Sequence, residues 1–535
     1  MLDVTSSRQF ARVAVAIFWT IAVIPLLVVL TTPHIVVEDG GLHLSNAMAL
    51  RGLIGGWFPS LVSWRPVLAP NTTVEIVLAA LTSVMSGNLA LKVVIAVGLL
   101  GFAFAVFALM RAAHLPVYFG IPLLAFEMHY LVMLGFLGFV WSVPIALCAL
   151  AVVVRSPLAP RKWPLALLLT ATWFTHVVPA LTVGIAITLV VFVAHLADHQ
   201  GPARAVVATV KALAVPLAPV ALLSITWFVQ APTGALQRGP GVLSSITNLL
   251  QFSDPLVSYA HVEYWLARAL AVAAYAVAVI VIGIRVHERR YHDRMDGLLA
   301  AAILTAVLSV AAPEHTGSGA GFVGLRLALF ALVFLLLWEC IQISELTGRA
   351  RSLSMAMLAV GAVVAVTIPI VRVPALHQLS AEADHIGSLA PCLPLHSSVM
   401  QVNLDAGGAV SPRLNPMAEQ SGAITVPRES LDLFNESGWF PFYLWRYTDD
   451  ARADRFVASG RSFDEVPTPI DLGAAIDQGL PLTGVVVYGR AVAPSALLRQ
   501  HTVIMLDHAL AQHFRKVRQA PNAELWLRKG VSPSC

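Results

Sequence analysis

Apolar runs long enough to cross a lipid bilayer recur along most of this chain, separated by short turns rich in arginine. A spanning helix needs roughly 20 apolar residues, because in hydrocarbon the backbone N–H and C=O groups find no water and must bond to one another. The runs fall at residues 14–30, 89–110, 115–129, 134–154, 163–177, 180–197, 205–229, 265–284, 297–312, 322–342 and 353–371. The stretch 73–86 is apolar but short, and reads as a re-entrant segment or a short crossing. The expected fold is therefore a mainly α polytopic membrane protein with about eleven spans. Of the 535 residues, 58% are hydrophobic and only 12% charged, which excludes an ordinary water-soluble fold for most of the chain. The formal charge of +4 is too small and too dispersed for a nucleic-acid partner.

The cations give the expected orientation. Arg8, Arg12, Arg111, Arg155, Arg161, Lys162, Arg204, Lys211, Arg285, Arg289, Arg290, Arg294, Arg349 and Arg351 fall on one side of the alternating spans. The opposite loops before the last span hold only Arg51, Arg65 and Arg238. Positively charged loops stay in the cytoplasm, so the N-terminus is expected inside. An odd number of spans then leaves residues 373–535 outside. Thr31-Thr32-Pro33 follows the first run directly with no small-residue cleavage site, so that run reads as an uncleaved anchor. Abundant Ala, Arg and Pro with scarce Lys suggest a GC-rich bacterial genome, and hence the bacterial inner membrane.

Composition changes after Arg372. Residues 1–372 read as the multi-span domain, with an outer loop, 33–72, whose Trp57, Trp64 and prolines suit interfacial helices. Residues 373–535 contain no spanning run and read as a soluble extracytoplasmic α/β domain large enough for its own core. Ser398–Val402 and Gly484–Tyr488 are expected as buried strands, Leu497–Phe514 as a helix and Glu524–Arg528 as a final strand. Cys148 and Cys340 lie in apolar runs and read as packing residues. Cys392 and Cys535 are the two cysteines of the outer domain, either bridged in an oxidising compartment or left as two thiols.

Chemistry concentrates at the outer ends of the spans. His34-Ile-Val-Val-Glu38-Asp39-Gly-Gly-Leu-His43 sets two carboxylates and an imidazole just beyond the first span. One reading has Asp39 capping a helix that begins at Gly40, with Glu38 favouring its positive end. The other is catalytic, since ionisable groups at a membrane boundary are costly unless used. Glu127 and His129 end another run, and His176 marks the bend between two more. Glu314, His315 and Arg326 flank a glycine-rich outer loop, 317–322. Arg326 either snorkels to the interface or grips a lipid-linked phosphate bidentately.

Glu38-Asp39-Gly-Gly-Leu-His43-Leu, Gly135-Phe-Leu-Gly-Phe139, Thr175-His176-Val-Val-Pro179, Pro313-Glu314-His315 and Gly321-Phe-Val-Gly-Leu-Arg326 together make residues 10–372 resemble the GT-C glycosyltransferases. These are polytopic enzymes using polyprenyl-phosphate sugars, among them protein O-mannosyltransferases and lipid A aminoarabinose transferases. The resemblance implies Asp39 as catalytic base with Glu38 beside it. The polar residues at the outer ends of the spans, His43, Glu127, His176, Glu314, His315 and Arg326, are the expected substrate-binding set. The partners the resemblance implies are a polyprenyl-phosphate sugar donor, membrane lipid, and a glycan, lipid or protein acceptor. The Glu-Asp order departs from the family's Asp-Asp or Asp-Glu, leaving a divalent metal an open option. A transporter or flippase would instead carry ionisable groups near mid-span and repeat its halves, neither of which is visible. A non-catalytic envelope assembly protein would leave Asp39 and Arg326 without a shared purpose.

Overall fold

A computed structural model describes residues 4–65, 68–198, 201–230, 241–289, 293–313, 321–405, 407, 410–411, 413–439, 443–457 and 465–535. Among these, eight helices are long and apolar enough to cross a membrane. They are Ala11–Thr31, Gly87–Ala112, Leu137–Arg155, Val177–Ala197, Pro202–Gln230, His261–His287, Val323–Glu345 and a long helix beginning at Gly348. Two shorter helices, Lys162–Thr175 and Asp296–Ala311, account for two further expected runs. Threonines are tolerated in these helices because their hydroxyls bond back to the carbonyl four residues earlier. Thr172, Thr182, Thr188, Thr209 and Thr226 all do so at 2.7–2.9 Å.

The expected run at 115–129 is not one helix. His114 is left-handed with φ 57°, and Pro116 follows without an N–H to donate. The chain then folds through a 3-10 turn, Val117–Gly120, and a single α turn, Ile121–Leu124. Ala125, Phe126 and Glu127 donate to carbonyls only three residues back, so the α ladder never establishes itself. The stretch 73–86 holds a helix of nine residues, Thr73–Leu81, too short to span.

The chain forms two compact units. The first comprises residues 1–28, 96–131 and 138–372. At its centre lies Val323–Glu345, whose apolar stretch is 83% buried against 22% for Pro202–Gln230. Small residues let its helices approach closely. A Cβ on Gly324 would lie 2.6 Å from the Ser309 carbonyl oxygen, and one on Gly297 would lie 2.4 Å from the Val190 Cα.

The second unit comprises residues 29–95, 132–137 and 373–535. Its sheet orders the strands Leu431–Asp432, Ser398–Asn403, Gly484–Tyr488, Ala523–Arg528 and Phe514–Ala520. The first three run parallel and the last two antiparallel to their neighbours. Ser398–Asn403 and Gly484–Tyr488 are buried throughout, as expected for strands covered on both faces. The expected helix at 497–514 appears as a short turn, Ser495–Leu498, followed by His501–His513. The edge strand Phe514–Ala520 has no apolar run to announce it. Its exposed Arg515, Lys516 and Arg518 suit an edge, where charge discourages further strand pairing. Within the loop expected at 33–72, the helix Gly40–Gly55 is buried along most of its length rather than lying in an interface. It packs so tightly on the helix Gly422–Arg428 that a Cβ on Gly422 would lie 2.8 Å from the Gly41 carbonyl oxygen.

Candidate functional site

In the second unit, the acidic motif is a short strap leading into Gly40–Gly55. Glu38 and Asp39 donate their backbone N–H groups to the Met133 and Leu134 carbonyls at 3.0 and 2.9 Å. The strap can lie this close only because Gly135 has no side chain. Its φ is +83°, and a Cβ there would sit 2.8 Å from the Asp39 nitrogen. Gly41 meets the same constraint on another side, where a Cβ would lie 1.9 Å from the Glu419 carbonyl oxygen. Gln420 completes the clamp by donating from Nε2 to the Val37 carbonyl at 3.0 Å.

Asp39 occupies the position before the helix, yet its side chain makes no capping hydrogen bond. The capping reading therefore does not describe this carboxylate. Both acids are half-buried. One Glu38 oxygen accepts from the Asn415 backbone N–H at 2.9 Å.

His43, one turn further along and buried, is held at both ring nitrogens. Nδ1 faces the Glu75 carboxylate at 2.9 Å and Nε2 faces the Gly135 carbonyl at 2.9 Å. Both partners only accept, so both nitrogens donate and the ring is imidazolium. Burial by itself would lower its pKa; the charge and hydrogen bond of Glu75, with Asp39 adding to them, prevail and raise it above the usual histidine value. Asn46 supports the pair, donating to Glu75 at 3.4 Å and to the Ser437 hydroxyl at 3.1 Å. Glu75 was not foreseen as a site residue, because it lies within the apolar stretch Thr73–Leu81. Its acidic side chain in that stretch was the one available signal.

The first unit gathers a different set around Phe139. His176 meets the ring edge-on at a centroid distance of 5.6 Å, His129 does so at 6.1 Å, and the Arg326 guanidinium lies 6.0 Å from its centre. Arg326 sits in the first turn of Val323–Glu345, where backbone N–H groups and the helix dipole favour an anion. His176 has a structural duty as well, its Nδ1 accepting from the Val178 N–H at 3.2 Å to cap Val177–Ala197. Glu127 is 2% exposed, and neither carboxylate oxygen has a hydrogen-bond partner among the described residues. Nearby, buried Arg372 pairs with Glu263 at 3.1 Å and donates to the Met128 and Leu256 carbonyls. In the sequence Arg372 marks only a change of composition; buried, it requires such partners. Glu314 and His315 lie outside the described residues.

Among the described residues, no three His, Cys, Asp or Glu side chains are grouped so as to hold a metal ion. Glu38 already accepts a backbone N–H.

No protein-family model and no curated protein matches the chain. Solved structures do. The crystal structure of ArnT from Cupriavidus metallidurans bound to undecaprenyl phosphate matches with a TM-score of 0.50 at 12% identity, covering 96% of this chain and 97% of that one. The structure of the same protein in the apo state matches with a TM-score of 0.49 at 13% identity, with the same coverage. The chain thus has the polytopic membrane fold of ArnT.

Proposed function

We propose that this protein is a membrane glycosyltransferase. It moves a sugar from a polyprenyl-phosphate donor to an acceptor hydroxyl at the outer face of the cytoplasmic membrane. The observation that carries the reading is Asp39: a half-buried carboxylate at a helix start that performs no capping, on a backbone clamped by Leu134, Gly135 and Gln420. Such clamping is what positions a general base.

Asp39 takes the proton from the acceptor hydroxyl. The oxygen then bonds to the anomeric carbon as the bond from that carbon to the phosphate oxygen breaks, and the polyprenyl phosphate leaves with the electron pair. The charge that develops on that phosphate calls for a cation, and the residue we propose for that role is Arg326, in the first turn of its helix. His43, held cationic by Glu75, lowers the electrostatic cost of keeping Asp39 ionised. Glu38 fixes the strap through Asn415. The fold supports this reading, and ArnT is known in complex with undecaprenyl phosphate.

The test is transfer by purified Asp39→Asn protein supplied with a polyprenyl-phosphate sugar and acceptor. The expected result is loss of product formation, with thermal stability close to that of the parent protein. Undiminished transfer would remove Asp39 from the base role.

A further inference from the structure

The geometry points to a second lipid site in the first unit: a groove that binds an anionic phospholipid of the cytoplasmic leaflet. The groove encloses about 980 Å³ between Ala11–Thr31, Gly87–Ala112, Leu137–Arg155 and the start of the broken segment after Pro116. Its walls are apolar, formed by side chains such as Ala14, Phe104, Phe107, Val152 and Leu168. At one end stand Arg111, in the last turn of its helix, and Arg155, the last residue of its own. Both are exposed, and neither guanidinium has a hydrogen-bond or ion-pair partner among the described residues.

Charge complementarity selects the occupant. Two arginines on separate membrane helices, facing one apolar groove, match a phosphate headgroup above acyl chains. Basic pockets between spans on the cytoplasmic side take anionic lipid headgroups in this way. Cations at helix C-termini also complement the helix dipole, but that role asks for no shared cavity. Arg161 and Lys162 follow in the next turn, so the groove opens on the side that the cation count assigns to the cytoplasm. Every residue lining the groove belongs to the first unit, and the site does not rest on the proposed transfer.

The experiment uses the full chain purified in detergent. Thermal unfolding is followed while phosphatidylglycerol or phosphatidylcholine is added, and lipid retention is read by native mass spectrometry. Phosphatidylglycerol is expected to raise the unfolding temperature and remain bound, whereas phosphatidylcholine does neither. Arg111→Gln with Arg155→Gln is expected to weaken phosphatidylglycerol binding on the order of tenfold. Ala108→Phe, which keeps both charges and fills the groove, is expected to displace the lipid as well. Equal response to the two lipids would overturn the site, as would full phosphatidylglycerol binding by either variant. Stronger retention of undecaprenyl phosphate than of phosphatidylglycerol, lost in the same variants, would overturn the assigned occupant. If the double variant does not fold, the Ala108→Phe result decides alone.

Discussion

His43 and Glu75, 32 residues apart in the chain, face each other at 2.9 Å inside the second unit, and the Gly135 carbonyl holds the other ring nitrogen. The pair fixes a positive charge one helical turn from Asp39. Because His43 has a raised pKa in the folded protein, its contribution to stability is fully present below the unfolded value of about 6.5. That contribution is lost as pH rises through the folded pKa. Glu75→Gln removes the charge that opposes the effect of burial, and His43 then becomes neutral. The expected outcome is a loss on the order of 3 kcal/mol near neutral pH, with the alkaline decline in stability abolished. Thermal unfolding of parent and variant across pH 6–9 measures both, and an unchanged pH profile would show that Glu75 does not hold the charge.

Gly135 carries two constraints at once, a φ of +83° and a neighbour, the Asp39 nitrogen, that a Cβ would meet at 2.8 Å. Gly135→Ala is therefore expected to destabilise by more than about 1 kcal/mol and to displace the Asp39 strap. Transfer should fall further than the stability loss explains. Gly56 serves as the control, since its φ is +68° but a Cβ there meets nothing within 4 Å. Equal effects of alanine at the two positions on transfer would argue against a tight strap.

Much of the fold was legible in the sequence because lipid imposes one rule on every span. The runs at 14–30, 89–110 and 322–342 each became a helix, and the Val485–Val487 run became a buried strand. The run at 115–129 misled because hydropathy counts side chains, while Pro116 and the left-handed His114 act through the backbone. The acidic motif was visible as a local cluster. Its supports were not, because Glu75, Gly135 and Gln420 reach it only through pairings remote in sequence. Nor could composition show that residues 29–95 form a compact unit with 373–535.

Arg326 stands 6.0 Å from the Phe139 ring at the start of Val323–Glu345. Under the proposed function it grips the donor phosphate through a planar, bidentate fork, which a lysine cannot reproduce. Arg326→Lys is expected to weaken donor binding by roughly tenfold, about 1.4 kcal/mol, while leaving acceptor affinity unchanged. Direct titration with a polyprenyl-phosphate sugar provides the measurement. Unaltered donor affinity would place the phosphate elsewhere.

Cys392 and Cys535 are joined by a disulfide across a separation of 143 residues within the second unit. The bridge is surrounded by local support: the Ser534 N–H donates to the Cys392 carbonyl at 3.1 Å, and Arg518 approaches the Cys392 sulfur at 3.6 Å. Closing so long a loop restricts the unfolded chain, a stabilisation of roughly 2–5 kcal/mol in the chain-entropy account. Reduction, or Cys392→Ser with Cys535→Ser, is expected to lower the unfolding temperature without abolishing folding, because the sheet keeps its own buried core in Val485–Val487 and Leu525. The bond also bears on sidedness, since disulfides persist outside the cytoplasm and are rare within it. Mass spectrometry of non-reduced peptides from protein expressed in its membrane should recover the linked pair. A membrane-impermeant thiol reagent applied from outside should label the two cysteines only after reduction. Labelling from the cytoplasmic side without reduction would reverse the proposed orientation, and with it the outward-facing site for Asp39.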